Sequence, residues 1–120
     1  MSNPLRVFSY SRCATCRKAL SWLVSHGIEH CVIDITETPP SRDELAAAAA
    51  QFGDRKPLFN TSGKSYRTLG SATVKAMSDE EALDSLANDG RLIKRPFVLL
   101  PDGSALVGFR EEIWEERLKS

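Results

Sequence analysis

The sequence is poor in the features that specialise a small protein. It has three cysteines in 120 residues. That odd number excludes a fully paired disulfide framework within one chain. Charge of one sign is also lacking, because sixteen Lys and Arg balance sixteen Asp and Glu. A generally basic surface for direct nucleic-acid binding is therefore not expected. No apolar run approaches the ~20 residues a membrane span needs. The opening residues, Met1-Ser2-Asn3-Pro4-Leu5-Arg6, show neither the basic start nor the apolar stretch of a signal peptide. The expected location is the cytoplasm, with no membrane partner. In that reducing compartment two close cysteines point to redox work or to metal rather than to a structural bridge.

What is present is an ordinary globular mixture, 42% hydrophobic and 27% charged. A chain of this length reads as a single domain, 1–120, able to bury one core without staples. Leu5 to Tyr10 is rich in strand-forming residues. Beyond Cys13 the period becomes helical, with Ala19, Leu20, Leu23 and Val24 on one face and Gly27 as the stop, His26 standing in the last turn. Ile28 to Ile35 reads as a second strand with apolar residues on both faces, which predicts burial on both sides and a buried, inert Cys31. Strand, helix, strand in this order form a βαβ unit.

Pro39 and Pro40 break the chain. Ser41 to Glu44 and Ser78 to Glu81 are capping boxes, each opening a helix, and Asn60 to Gly63 is a turn. Phe97 to Leu100 and Ala105 to Val107, joined by Pro101-Asp102-Gly103, predict a β-hairpin. Phe109 to Leu118 has the spacing of a closing amphipathic helix. The order βαβ, helical middle, ββα is the α/β thioredoxin-like arrangement. It predicts a four-stranded mixed sheet with a helical insertion at about 41–90.

Cys13-Ala14-Thr15-Cys16 sits between the first strand and the first helix. A cysteine just before a helix faces unpaired backbone N–H groups and the positive end of the helix dipole, and both favour thiolate over thiol. Arg12 and Arg17 flank the motif, and positive neighbours lower a cysteine pKa from about 8.5. Cys13 is thus the candidate nucleophile and Cys16, one turn into the helix, the resolving thiol. The same N–H groups suit an oxyanion. Two packed, inert thiols are the bland alternative. A zinc site from Cys13, Cys16, His26 and His30 fits poorly, because a finger wants a longer central spacer and both histidines on one helix; none is expected. Arg95-Pro96 precedes the third strand. In a thioredoxin-like fold this proline is a candidate cis residue facing the active cysteine, and Arg95 would direct its guanidinium at an anion. Arg110, opening the last helix, is a further candidate cation or a solvated surface residue.

Four segments together resemble the arsenate reductase-C family, which includes the Spx-like transcription regulators. They are Ser11 to Ala19, Leu58 to Arg67, Leu92 to Pro96, and Val107 to Arg110. The resemblance implies the thioredoxin-like fold and an enzyme in which Cys13 attacks arsenate to give a thiol-arsenate adduct. Glutathione then serves as co-substrate, with glutaredoxin or thioredoxin as partner and no bound cofactor. It implies an oxyanion site to which Arg95 and Arg110 contribute, with Arg12 beside it. Asn60 stands where the well-studied arsenate reductases carry another arginine. The attacked group would be arsenate or a glutathione mixed disulfide. The Spx-like members imply the alternative: a Cys13–Cys16 disulfide switch in a regulator that binds the RNA polymerase α subunit, with Gly53 as the counterpart of a glycine at that interface.

Overall fold

A computed structural model describes residues 4–119. The chain divides into two compact units, one formed by residues 1–33 and 95–120 and the other by 34–94. The second is wider than the insertion expected from the sequence at about 41–90.

The first unit contains β1 (Leu5–Ser9), α1 (Ala14–Ser25), β2 (from His30 to Asp34, its last residue in the second unit), β3 (Phe97–Leu99), β4 (Ala105–Val107) and α6 (Glu111–Leu118). The four strands form one mixed sheet in the order β2-β1-β3-β4. β1 runs antiparallel to β3, with Val7 opposite Val98, and β3 antiparallel to β4, with Val98 opposite Leu106. These paired residues share one face and build the core with Leu5, Ala19, Trp22, Leu23 and Trp114. Trp114 meets Trp22 and Phe109 edge-on, at centroid separations of 5.9 and 4.9 Å. Such edge contacts add to area burial. Phe8 and Phe97, on the opposite face, are also buried, so the two central strands are covered on both sides.

α1 ends as its sequence demands. Gly27 takes a φ of +65°, which glycine adopts without a Cβ penalty. Its N–H reaches the Val24 carbonyl at 3.1 Å, and that of Ile28 reaches Leu23 at 3.0 Å. This crossed pair satisfies carbonyls that the helix end leaves open.

The second strand departs from expectation. β2 lies at the sheet margin, and both Cys31 and Val32 are exposed, Val32 by 56%. Apolar residues on both faces of a strand fix which way side chains point, not whether another strand lies alongside. Cys31 is therefore a free, exposed thiol rather than a buried one. Ile35, expected in the strand, lies just beyond it in a turn and is fully buried.

The second unit contains α2 (Arg42–Phe52), α3 (Lys64–Leu69), α4 (Ser71–Ala76) and α5 (Asp79–Asn88), with short 3-10 turns at Lys56–Leu58 and Gly90–Leu92. Both capping boxes form: Ser41 with Glu44 opens α2, and Ser78 with Glu81 opens α5. Arg42 joins these helices through Asp84 at 2.6 Å and through Glu80. Gly90 has no room for a side chain, since a Cβ there would stand 1.8 Å from the Ile35 carbonyl oxygen. Among the described residues no helix is long and apolar enough to cross a membrane.

Candidate active site

The site is built where β1 ends. After Ser9 the chain turns, the Tyr10 carbonyl accepting the Cys13 N–H at 3.0 Å. Arg17 reaches back to the Ser11 carbonyl at 2.8 Å and braces the turn. Cys13 then occupies the N-cap of α1 in extended backbone, φ −96° and ψ 114°. Its Sγ accepts the Cys16 N–H at 3.3 Å, doing with sulfur what serine or aspartate does with oxygen at most helix starts. Cys13 is partly exposed, whereas Cys16 is fully buried.

The two thiols are displaced in opposite directions. Burial pushes the Cys13 thiol up, but hydrogen bonds from the Cys16 side chain and backbone and the adjacent Arg95 guanidinium outweigh it. The net displacement is below the ordinary cysteine value. At Cys16 burial also pushes upward, and the neighbouring Cys13 sulfur adds to it. Donors from the Tyr10 backbone and the Ser9 hydroxyl offset only part, leaving Cys16 pushed up to about 11. At neutral pH the pair is thus thiolate at Cys13 favoured over thiolate at Cys16.

Arg95 completes the cluster. Its guanidinium carbon lies 5.1 Å from the centroid of the Tyr10 ring, and its Nε is buried with no hydrogen-bond partner. The Arg95–Pro96 peptide is cis. Pro96 is buried, and its carbonyl accepts the Gly108 N–H at 2.9 Å.

The remaining candidates are placed differently. Arg12 is exposed beside Cys13. Arg110 stands at the N-cap of α6, exposed, facing Glu112 at 3.6 Å. Asn60 belongs to the second unit and shapes a turn there. Its amide oxygen accepts the Ser62 hydroxyl at 3.3 Å, its N–H reaches the Leu92 carbonyl at 2.8 Å, and its own carbonyl accepts the Gly63 N–H at 3.2 Å. A Cβ on Gly63 would fall 2.5 Å from the Asn60 Nδ2. His26 stacks on Trp22 at 4.2 Å and pairs its Nδ1 with the Trp22 carbonyl, and the His30 Nδ1 pairs with the Ile28 carbonyl, each at 2.8 Å. Each histidine therefore has a local structural partner.

Two contributors had no place in the sequence reading. Ser9 is the buried polar residue of β1, and its hydroxyl faces the Cys16 sulfur. Tyr10 touches Arg95 through its ring and Cys13 through its carbonyl. Both read as ordinary strand residues. Their one signal is position, immediately ahead of the turn that carries the cysteines.

Comparison with known proteins gives the family and the fold. The family model described as ArsC family matches residues 8–117. YusI of Bacillus subtilis strain 168 is 48% identical over 115 residues, covering 93% of this chain and 96% of its own. An arsenate reductase of Escherichia coli strain K12 is 33% identical over 116 residues, covering 96% of this chain and 81% of its own. A crystal structure from Bacteroides fragilis, described as ArsC family related, superposes with a TM-score of 0.88 at 36% identity, covering 97% of this chain and 98% of its own. The chain belongs to the ArsC family, with the thioredoxin-like fold and the thiol oxidoreductase character of that family.

Proposed function

We propose that the protein is a thiol-dependent oxidoreductase in which the Cys13 thiolate attacks an oxidised substrate, arsenate or a glutathione mixed disulfide. The observation that carries this reading is the opposite bias of two sulfurs one helical turn apart, with Arg95 beside the reactive one.

With a mixed disulfide, Cys13 Sγ bonds to one sulfur and the other leaves as a thiolate, which the helix N-terminus and Arg95 stabilise. Cys16 is well protected from reacting first. Once Cys13 is bonded it no longer carries charge, so two of the influences that hold Cys16 up disappear, its hydrogen bond and its charge interaction with Cys13. Cys16 can then lose its proton, attack Cys13 Sγ and expel glutathione as thiolate, leaving a Cys13–Cys16 disulfide. Glutathione, with glutaredoxin or thioredoxin as partner, returns that disulfide to two thiols.

With arsenate, Cys13 Sγ bonds to arsenic as one oxygen leaves as water. A second thiol, Cys16 or glutathione, attacks the Cys13 sulfur. Arsenic gains two electrons and departs as arsenite, and the two sulfurs lose two electrons as a disulfide. Arg95, whose buried Nε has no acceptor in the protein, is the donor suited to the oxyanion.

The polymerase-binding alternative takes Cys13–Cys16 as a disulfide switch and Gly53 as the interface glycine. Its φ of +73° caps α2, its N–H reaching the Ala49 and Ala50 carbonyls, so the helix end already accounts for a glycine there.

The test is substrate-dependent NADPH oxidation coupled through glutathione, glutaredoxin and glutathione reductase, with arsenate and with a glutathione mixed disulfide, in wild type, Cys13→Ser and Asn60→Arg. Turnover of either substrate that disappears in Cys13→Ser supports the reading. Arsenate turnover that appears only in Asn60→Arg would assign the natural chemistry to disulfides. No turnover of either substrate in wild type refutes it.

A further inference from the structure

We propose that Tyr10 is a positioning residue, its ring holding the Arg95 guanidinium beside the Cys13 sulfur while its backbone fixes that sulfur's helix start. The proposal rests on the reading of Cys13 as the nucleophile and adds a residue through which its charge environment is set.

Arg95 is a partly buried arginine with one donor left unpaired. A buried N–H donor without an acceptor is unfavourable, and most buried donors are paired. Arg95 Nε is buried and unpaired. Hydrogen bonding through that atom therefore does not anchor the side chain. The guanidinium meets the Cys13 sulfur on one side and the Tyr10 ring on the other, its carbon 5.1 Å from the ring centroid and inside the range of cation–π attraction. A planar guanidinium suits such stacking better than an ammonium would.

The same residue also fixes the other half of the charge pair. The Tyr10 carbonyl accepts the Cys13 N–H at 3.0 Å. Cation and nucleophile are thus both tied to Tyr10, one through the ring and one through the backbone. A side-chain substitution separates the two roles, because the backbone bond survives it. Phenylalanine keeps the ring face, and leucine keeps apolar bulk without it. The platform also leaves the Arg95 Nε–H unspent.

The experiment is the pH profile of Cys13 alkylation by iodoacetamide, read at the Cys13 peptide by mass spectrometry. It compares wild type, Tyr10→Phe, Tyr10→Leu, Arg95→Met and the Tyr10→Leu/Arg95→Met pair, with Tyr10→Met in reserve should the leucine variant not fold. Tyr10→Phe is expected to keep the wild-type profile. Tyr10→Leu is expected to move it to higher pH and slow alkylation at neutral pH by about two- to fivefold, the range a cation–π contact supports. In the Arg95→Met background the leucine substitution is expected to add nothing. A wild-type profile in Tyr10→Leu, or an equal slowing with and without Arg95, overturns the role of Tyr10 alone. An ordinary thiol profile in the wild type itself overturns the nucleophile assignment and the positioning role with it.

Discussion

Arg55 in the second unit and Arg95 in the first are both partly buried arginines, and they are used in contrasting ways. Arg55, its side chain 17% exposed, spends its donors on the Val74 carbonyl at 3.1 Å, the Met77 carbonyl at 2.6 Å and the Asp79 carboxylate at 2.9 Å. It closes the end of α4 and ties it to the start of α5. Arg95 leaves its buried Nε without an acceptor and lies over a tyrosine ring beside the Cys13 sulfur. A satisfied arginine stabilises a fold, and Arg95 keeps one donor unspent. The same division separates the serines: Ser41 and Ser78 close capping boxes, whereas Ser9 points at the Cys16 sulfur.

Several substitutions would break or sharpen this contrast. The largest expected effect is on chemistry. Cys13→Ser should abolish turnover in the coupled assay, since a hydroxyl at neutral pH is not an anionic nucleophile.

Arg55→Met comes next and should act on stability. It leaves two carbonyls and a carboxylate without their charged donor, a loss of about 2–3 kcal/mol in chemical denaturation. The Cys13 alkylation profile of the folded variant should not move. Arg95→Met should do the reverse, holding stability within about 1 kcal/mol of wild type, because the buried Nε it removes had no acceptor and the loss is confined to the contacts with Tyr10 and Cys13. Its effect should be a Cys13 profile displaced to higher pH. If the two arginines gave the same pattern, the contrast between them would be void.

A smaller effect separates the cysteines. Cys16 is raised on folding to about 11, above its ordinary value of 9.0, so the folded state holds its proton more tightly than the unfolded chain. Its contribution to stability is fully present below the unfolded value and declines as pH rises through 9.0 towards about 11. In Cys16→Ala the alkaline decline measured by denaturation should be shallower over that interval. Removing the Cys16 thiol also removes a donor to Cys13, so Cys13 alkylation at neutral pH should slow by about fivefold, the equivalent of one hydrogen bond.

Much of the site was legible in the chain because its chemistry is local. A cysteine at a helix start meets free N–H groups wherever the helix lies, so the placing of Cys13 at the N-cap and Cys16 one turn in is legible from the motif's position. The two capping boxes and the stop at Gly27 were legible for the same reason. β2 departs from expectation because apolar residues on both faces of a strand do not say whether other elements cover those faces, and Cys31 and Val32, on opposite faces, are exposed. α3 and α4 went unread because six-residue helices carry too few apolar positions to show a period. Tyr10 and Ser9 were missed because their roles depend on what folding brings to them, in Tyr10 a guanidinium from a residue 85 positions further on. Asn60, marked by resemblance, proved to have a turn of its own to hold.

A single helical turn displaces its two cysteine thiols in opposite directions, Cys13 below the ordinary value and Cys16 above it. The most direct test is an NMR pH titration of the intact, reduced protein labelled with carbon-13 at cysteine Cβ, with Cys13→Ser, Cys16→Ala and Cys31→Ser used to assign the resonances. The account predicts that Cys13 titrates first, below the ordinary cysteine value, and that Cys16 holds its proton until about pH 11. Cys13 and Cys16 titrating together near the ordinary value, or Cys16 titrating first, would contradict it.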